Sequence, residues 1–310
     1  LMVVITHTNA HSAEKRIVFI FGVGLVGSAI VKSLASFEKV DVREQKSDWR
    51  ILDNFHLQLN DLSNMLPDRN LKRVDWVWSA GKAGFAANEN EVDSEFLFYQ
   101  AFLQEIVRLE EQFGIKEKSF IHLVSSAGGL FEGQRVVSTN AEARPKRPYG
   151  HLKFKQENLL QDMFQNRCRI YRPSSIFGFY EKGQRVGLIT NLIINTFKSR
   201  VTSIYGKMDT QRDYVWVGDV GDFIARKIWF DFNGKKDDSN QIHFLVSAKP
   251  TSIFEIIYTI QTITNLKVLQ KFDKNFSNSD QIIFSRDIIP DGWSSSSLNT
   301  CIRKIYQKAF

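Results

Sequence analysis

Tyr149 and Lys153 are a phenol and an ammonium four positions apart. On a helix, side chains at positions i and i+4 lie on one face. A free phenol is a poor base at neutral pH, and a neighbouring cation favours its phenolate form. The pair can therefore move a proton to or from a hydroxyl group. Because Tyr-x-x-x-Lys often arises by chance, the assignment depends on the other motifs.

Two serines, Ser125 and Ser126, follow the apolar run 120–124, which has the composition of a β-strand. Ser126 precedes Tyr149 by 23 residues. A serine hydroxyl at this place can hydrogen-bond the oxygen that exchanges the proton. We take Ser126 as the candidate catalytic serine, and we assign Ser125 the structural role of capping the strand end.

A glycine-rich segment lies between a β-rich run ending at residue 21 and a helical pattern beginning at residue 28. It reads G-x-G-x-x-G and consists of Gly22, Gly24 and Gly27, with Leu25 and Val26 before the last glycine. Glycines allow backbone N–H groups to approach a pyrophosphate, which the N-terminus of the helix then attracts. In this context the segment predicts a dinucleotide site, although an ordinary glycine-rich turn has the same pattern.

The choice of dinucleotide depends on the residues that end the second strand, predicted at 39–43. Glu44 follows Gly27 by 17 residues and has the spacing of an acid that binds the ribose hydroxyls of NAD. Arg43 beside it has the charge that accepts the 2′-phosphate of NADP, or is an exposed loop residue. The sequence favours NAD and leaves NADP possible.

Strand-like and helix-like segments alternate through the first half of the chain. This alternation predicts an α/β fold with a doubly wound parallel sheet, and ligands beyond the carboxyl ends of its strands. The later segments are mainly helical. The predicted strands are 16–21, 39–43, 74–78, 120–124 and one from 169; the predicted helices are 28–37, 96–113, 187–199, 219–230, 252–264 and 298–308.

Composition argues against several other classes of protein. The net charge is +7, but the basic residues are spread along the chain without a nucleic-acid-binding signature. No apolar run reaches the ~18 residues of a membrane helix. Residues 1–5 are apolar but lack signal-peptide features, and residues 7–15 are interpreted as a polar tail, so we expect a cytoplasmic protein. Cys168 and Cys301 are expected to be buried and unpaired, with no metal-site spacing.

Taken together, these motifs resemble the extended short-chain dehydrogenase/reductase family, which contains NAD-dependent epimerases, dehydratases and reductases of nucleotide sugars. The order of glycine turn, Ser126, Tyr149 and Lys153 is that of the family. Segments 171–178 and 211–220 resemble its Arg-Pro-x-x-x-aromatic-Gly and Arg-Asp-aromatic-Val segments. The resemblance extends from residue 16 to residue 306, with Phe21 standing at the family's first glycine position.

The resemblance implies a Rossmann-type NAD(P)-binding domain at 15–178 and a smaller, mainly substrate-binding domain at 179–310, from which segments around 207–230 return to the first. It also implies a possible homodimer through the helices at 96–113 and 149–164. The implied catalytic residues are Ser126, Tyr149 and Lys153. Arg212 would bind the diphosphate of a nucleotide sugar, and the cofactor would also contact Ala80, Gly81, Tyr149, Lys153 and Pro173.

The residues that follow Ser126 limit which of the family's reactions we expect. Dehydratases of the family carry Asp-Glu directly after the active-site serine or threonine, whereas Ala127 and Gly128 stand here. We therefore expect no dehydration. Epimerisation at C4 of the sugar through a transient keto sugar is favoured, with NAD(P)H-dependent reduction of a 4-keto sugar as the alternative. A non-catalytic NAD(P)-binding regulatory protein is a third possibility.

Overall fold

The computed structural model describes residues 1–9, 12–37, 40–45, 51–66, 70–179, 186–230, 241–273 and 281–309. Its strands are β1 (Met2–Thr8), β2 (Lys15–Phe21), β3 (Val40–Gln45), β4 (Leu71–Trp78), β5 (Ser119–Val124), β6 (Val136–Val137), β7 (Cys168–Pro173), β8 (Ser175–Phe177), β9 (Thr202–Tyr205), β10 (Gln211–Arg212), β11 (Tyr214–Trp216), β12 (Ile242–Leu245), β13 (Thr251–Ser252), β14 (Gln270–Asp273) and β15 (Ile283–Phe284). Its helices are α1 (Leu25–Ala35), α2 (Leu52–Asn60), α3 (Glu89–Phe113), α4 (Ala127–Leu130), α5 (Pro148–Phe164), α6 (Leu188–Phe197), α7 (Val217–Phe230), α8 (Ile253–Thr264) and α9 (Leu298–Ala309).

A seven-stranded sheet forms the centre of the fold, in the order β12-β7-β5-β4-β2-β1-β3. The five strands from β12 to β2 run parallel. Helices α1 and α7 contribute to the core on one face, and α2, α3 and α5 contribute to the core on the other. The predicted Rossmann-type α/β fold is confirmed.

The N-terminal segment departs from the prediction. Strand β1 pairs antiparallel with both β2 and β3 and lies between them. Val3 is 0% exposed and Ile5 is 1% exposed. The interpretation of residues 7–15 as a tail was wrong, because His7 and Thr8 continue β1 and Lys15 begins β2. The partners of a short strand are set by tertiary contacts, which the local pattern does not contain.

Helices α1 and α3 begin three and seven residues before the starts predicted from their hydrophobic patterns. Helix α1 begins at Leu25 because Gly24 serves as its N-cap. Helix α3 begins at Glu89, where the side chain of Asn88 accepts a hydrogen bond from Glu91 N and that of Glu91 accepts one from Asn88 N. This capping box precedes the first regular apolar positions of the helix, so the apolar periodicity alone does not reveal the start.

A separate hydrophobic cluster joins α6, α8 and α9 beside the sheet, with Leu192, Ile256 and Ile302 fully buried in it. Helix α7 instead packs closely on α1, since a Cβ on Gly221 would lie 2.6 Å from the Cβ of Ala29. As predicted, both cysteines are free and buried. In the ranges the structure covers, no helix is long and apolar enough to cross a bilayer.

Candidate active site

A cleft of about 1450 Å³ lies at the carboxyl ends of the central parallel strands. Gly22, Ala80, Ser125 and Pro173, at the ends of β2, β4, β5 and β7, line it, and so does Arg212 of β10. Of the other predicted site residues, the cleft is also lined by Gly24, Leu25, Val26, Gly81, Ser126, Tyr149 and Lys153. This is the place where open parallel sheets bind their ligands.

The turn between β2 and α1 needs its glycines for different reasons. Gly22 has a φ of +90°, and a Cβ there would lie 2.3 Å from the Cα of Ala80. A Cβ on Gly27 would lie 2.0 Å from the carbonyl oxygen of Gly22. At Gly24, by contrast, an added Cβ would meet no described atom within 4 Å. Packing therefore explains Gly22 and Gly27, whereas Gly24 leaves room at the N-terminus of α1, where anions bind.

Tyr149 and Lys153 lie one turn apart near the N-terminus of α5. The Nζ atom of Lys153 is 5.8 Å from the centroid of the Tyr149 ring and donates a hydrogen bond of 3.1 Å to Oε1 of Gln156. Lys153 is 5% exposed, so water screens its charge only weakly. The structure thus brings the phenol and the ammonium together at the cleft.

The two serines have different hydrogen bonds. The Ser126 hydroxyl caps α4 by accepting a 3.2 Å hydrogen bond from Gly129 N, and its own proton stays available to a substrate oxygen. The Ser125 hydroxyl is buried and has no hydrogen-bond partner within the described residues. The assignment of a strand-end cap to the Ser125 side chain was wrong, because Ser126 is the residue whose hydroxyl forms a cap.

The Tyr149 ring is enclosed by α4 and by the loop after β4. A Cβ on Gly129 would lie 3.0 Å from Cε1 of Tyr149, so glycine is needed for this close approach. On the loop side, the centroid of the Phe85 ring lies 5.5 Å from that of Tyr149. Arg147 lies over the Phe85 ring at 5.8 Å and forms a 2.7 Å ion pair with Glu132.

Arg212 is anchored by its neighbour in the sequence. The buried carboxylate of Asp213 accepts hydrogen bonds from the hydroxyls of Ser174 (2.5 Å) and Ser247 (2.7 Å), and from the backbone N–H groups of Ser247 (2.8 Å) and Lys249 (3.3 Å). Burial raises the pKa of Asp213, and these hydrogen bonds oppose the rise. Asp213 therefore ties the loops after β7 and β12 to the strand that carries Arg212.

Three predicted cofactor residues do not line the cleft. Gly27 is packed against Gly22 inside the turn, and the other two are Arg43 and Glu44. Both lie on β3, which β1 separates from β2. Arg43 is exposed and forms a 2.9 Å ion pair with Asp41, and neither Arg43 nor Glu44 lines the cleft. The prediction assumed that the second predicted strand lies directly beside the first, and the inserted strand removes that adjacency.

The model of the NAD dependent epimerase/dehydratase family matches residues 18–239. The chain belongs to this family. The matched range contains the glycine turn, Ser126, Tyr149, Lys153 and Arg212. Comparison with the curated proteins finds no match.

Solved structures share the fold of this family member over nearly its whole length. UDP-glucose 4-epimerase from Thermus thermophilus, in complex with NAD, is 16% identical, with a TM-score of 0.70 over 93% of this chain and 98% of that one. UDP-glucuronic acid 4-epimerase from Bacillus cereus, in complex with UDP-glucuronic acid and NAD, is 17% identical, with a TM-score of 0.65 over 94% and 90%. RMD from Pseudomonas aeruginosa, complexed with NADPH, is 17% identical, with a TM-score of 0.68 over 94% and 98%.

Sequence reasoning missed three residues at this site. Phe85 lies in the loop after β4 and was detectable only as an apolar residue following a predicted strand end. Asp213 stands in a segment that was used only for Arg212. Glu95 lies on α3 ahead of the predicted start of that helix, and its Oε1 is 3.8 Å from Nζ of Lys153.

Proposed function

We propose that this family member is an NAD(P)-dependent nucleotide-sugar epimerase that acts at C4 of the sugar. The observation that carries the proposal is the meeting of Tyr149, Lys153 and Ser126 in one cleft with the glycine turn and Arg212. Resemblance to the 4-epimerases supports the reaction, since those neighbours have the same fold over more than nine-tenths of this chain.

The residues at the cleft suit an NAD(P) cofactor. The space at Gly24, together with the N-terminus of α1 at Leu25 and Val26, would receive the pyrophosphate. Ala80 and Gly81 would contact the middle of the dinucleotide, and Pro173, Tyr149 and Lys153 its nicotinamide half. When bound, the cofactor would accept a hydride from C4 of the sugar and return it to the opposite face.

In this mechanism Tyr149 acts as the base and then as the acid. As phenolate it takes the proton of the C4 hydroxyl, while the Ser126 hydroxyl donates a hydrogen bond to the same oxygen. The Lys153 ammonium favours the phenolate and binds the ribose beside the nicotinamide. After the keto sugar has rotated so that its opposite face meets the cofactor, Tyr149 returns its proton to the C4 oxygen.

Arg212 would bind the diphosphate of the substrate. Its guanidinium can donate two parallel hydrogen bonds to phosphate oxygens, and it lines the cleft that contains Tyr149. The hydrogen bonds of Asp213 hold the strand in register, so that the guanidinium is presented from a fixed position. The described residues of the C-terminal half that line the cleft, among them Leu188, Tyr205 and Phe284, would then contact the sugar nucleotide.

Reduction of a 4-keto sugar is the second candidate. Its specific support is the similarity to RMD, which was crystallised with NADPH. In that reaction Tyr149 donates its proton to the carbonyl oxygen, and reductant is consumed stoichiometrically. Ala127 and Gly128 supply no acid or base beside Ser126, so neither candidate involves loss of water.

A panel of nucleotide sugars, incubated with purified protein with and without NADPH, separates the possibilities. Inversion at C4 without added reductant, read by NMR, is the expected result. Stoichiometric oxidation of NADPH on a keto sugar would instead establish the reductase. Tight dinucleotide binding with no turnover on any sugar would contradict both and favour a regulatory protein.

The helices α3 and α5 also suit a homodimer. They pack beside each other on one face of the sheet, and Leu97 on α3 is 53% exposed. Pairing of these helices with those of a second copy would bury this side chain. Light scattering of the wild-type protein is expected to give twice the mass of one chain. The Leu97→Glu variant is expected to give the mass of a single chain. A wild-type monomer would contradict the dimer.

A further inference from the structure

An aromatic ring lies exposed in the cleft beside the residues assigned to the reaction. Phe85 is 44% exposed and lines the cleft. The centroid of its ring lies 5.5 Å from that of Tyr149. A Cβ on Gly128, two positions after Ser126, would lie 3.5 Å from Cζ of Phe85. The ring therefore borders both the phenol and the segment that follows the catalytic serine.

Polar contacts hold this exposed residue in place. The carbonyl oxygen of Phe85 accepts a 3.4 Å hydrogen bond from Nη1 of Arg147, whose guanidinium also lies over the ring. Arg147 in turn forms the ion pair with Glu132, which itself lines the cleft. Two positions before Phe85, Ala83 N donates a 3.0 Å hydrogen bond to Glu95. The loop is thus attached to the rest of the site on both sides of the ring.

A large apolar side chain that is fixed in a cleft suits a ligand with an apolar surface. Single exposed apolar residues are common on proteins, but aromatic residues in a cleft beside reacting groups are typical of ligand sites. The ring of a sugar carries C–H groups between its hydroxyls. Such groups gain from leaving water against an aromatic ring, while the hydroxyls remain available to Tyr149 and Ser126.

Apolar contact also has a property that the proposed reaction needs. Inversion at C4 requires the sugar ring to present first one face and then the other to the cofactor, so its surroundings must accept two orientations. A hydrogen bond holds its partner in one direction, whereas apolar contact has no preferred direction. An aromatic ring can therefore bind the sugar before and after it rotates.

We propose that the sugar ring of the substrate packs against Phe85 in both of its orientations, and that Arg147 and Glu132 position this side chain. The inference rests on the proposed nucleotide-sugar epimerase activity. Phe85 contributes to the binding of the sugar and not to that of the nucleoside diphosphate, which is assigned to Arg212. Loss of the ring therefore weakens the binding of both C4 epimers alike.

Initial rates measured in both directions of the reaction test this inference, with the nucleoside diphosphate of the active nucleotide sugar as a competitive inhibitor. In Phe85→Ala we expect the KM of both epimers to rise about tenfold, by factors that agree within about twofold. The Ki of the nucleoside diphosphate is expected to stay within about twofold of wild type, and kcat within about threefold. Phe85→Tyr keeps the ring and is expected to keep both KM values within about threefold.

Phe254 provides the matched control, since it is 56% exposed on α8 and does not line the cleft. Phe254→Ala is expected to leave both KM values unchanged. Unchanged KM values in Phe85→Ala overturn the inference, and so does a rise for one epimer only. An equal rise of the Ki would place the contact on the nucleotide instead. Absence of epimerisation by the wild-type protein would overturn the proposed function rather than this contact.

The positioning role of Arg147 is tested by combining substitutions. Arg147→Gln removes the cation beside the ring and is expected to raise both KM values about threefold. Added to Phe85→Ala, the same substitution is expected to cause no further rise, because residues that act through one contact are not additive. A further threefold rise in the double variant would show that Arg147 acts independently of Phe85. Melting temperatures of all variants confirm that each protein is folded during the assay.

Discussion

The carboxylate of Glu95 lies 3.8 Å from the ammonium of Lys153, and both side chains are largely buried. The Oε2 atom of Glu95 accepts hydrogen bonds of 3.0 Å from the backbone N–H groups of Lys82 and Ala83. Its Oε1 atom has no hydrogen-bond partner within the described residues. One carboxylate therefore supports the loop after β4 and places a negative charge beside Lys153, the residue proposed to assist Tyr149.

Replacing this charge is expected to slow turnover without unfolding the protein. In Glu95→Gln the amide oxygen can still accept from the loop, but the buried ammonium of Lys153 loses its charged partner. The ammonium then lacks the charge that helps to hold it in place one turn from Tyr149. We expect kcat to fall about tenfold while the sugar KM stays within about twofold.

Glu111→Gln, an exposed position on the same helix, is the control and is expected to leave kcat unchanged. A wild-type kcat in Glu95→Gln would refute the role given to this charge. If the lower kcat of that variant is fully accounted for by unfolding, seen as a lower melting temperature, Glu95 has a structural role alone.

The glycine turn gives a prediction that separates packing from ligand binding. Gly27→Ala places a methyl group 2.0 Å from a carbonyl oxygen and is expected to destabilise the free protein by about 1–3 kcal/mol. Gly24→Ala meets no described atom and is expected to cost at most about 1 kcal/mol at the N-cap. Its methyl group would nevertheless occupy the pyrophosphate position, so the Kd for NAD is expected to rise about tenfold or more.

Thermal unfolding of the free proteins and calorimetric titration with NAD measure the two effects separately. Wild-type affinity in Gly24→Ala would show that no pyrophosphate lies against this turn.

The serine pair gives an internal comparison. Ser126→Ala removes the hydroxyl assigned to the reacting oxygen, and kcat is expected to fall about 100-fold. Ser125→Ala removes a buried hydroxyl that has no partner within the described residues, and kcat is expected to change less than about threefold. Steady-state rates on the active nucleotide sugar provide the measurement. A larger loss of kcat in Ser125→Ala than in Ser126→Ala would assign the catalytic role to Ser125.

The cysteines give a prediction about pH. Burial raises the pKa of Cys168 to about 12 and that of Cys301 to about 11, from the 9.0 of an unperturbed thiol. Because the thiols hold their protons more tightly in the folded state, they oppose unfolding below pH 9 and lose this contribution as the pH rises towards 11–12. Alkylation at pH 8 is expected to be slow in the native protein and rapid in urea. Rapid labelling of the native protein at pH 8 would contradict the burial.

The sequence reveals those parts of the site that are encoded locally. Tyr149 and Lys153 share one helical turn, and the glycines lie between one strand and the next helix, so spacing alone relates them to each other. Contacts between distant segments are not encoded in this way. Glu95 meets Lys153 across 58 residues of chain, and it lies in the first turns of α3, ahead of the apolar pattern from which the helix was predicted.

The strand that carries Glu44 illustrates the same limit. The spacing from Gly27 to Glu44 is normal for a dinucleotide fold, yet Glu44 is separated from the glycine turn because β1 lies between β2 and β3. Nothing in the run Met2–Thr8 specifies where in the sheet it pairs. Its place between β2 and β3 is set by tertiary packing, including contacts with Val18 and Ile20 of β2.

The central claim is that Tyr149 exchanges the proton of a sugar hydroxyl, and Tyr149→Phe tests it most directly. Phenylalanine preserves the ring contacts with Gly129 and Phe85 and removes only the hydroxyl. Turnover of the active nucleotide sugar is compared with wild type, and the Kd for the dinucleotide is measured on the same samples. The account predicts a loss of turnover of about 100-fold or more, with cofactor affinity within about threefold of wild type. Turnover retained at the wild-type rate would contradict it.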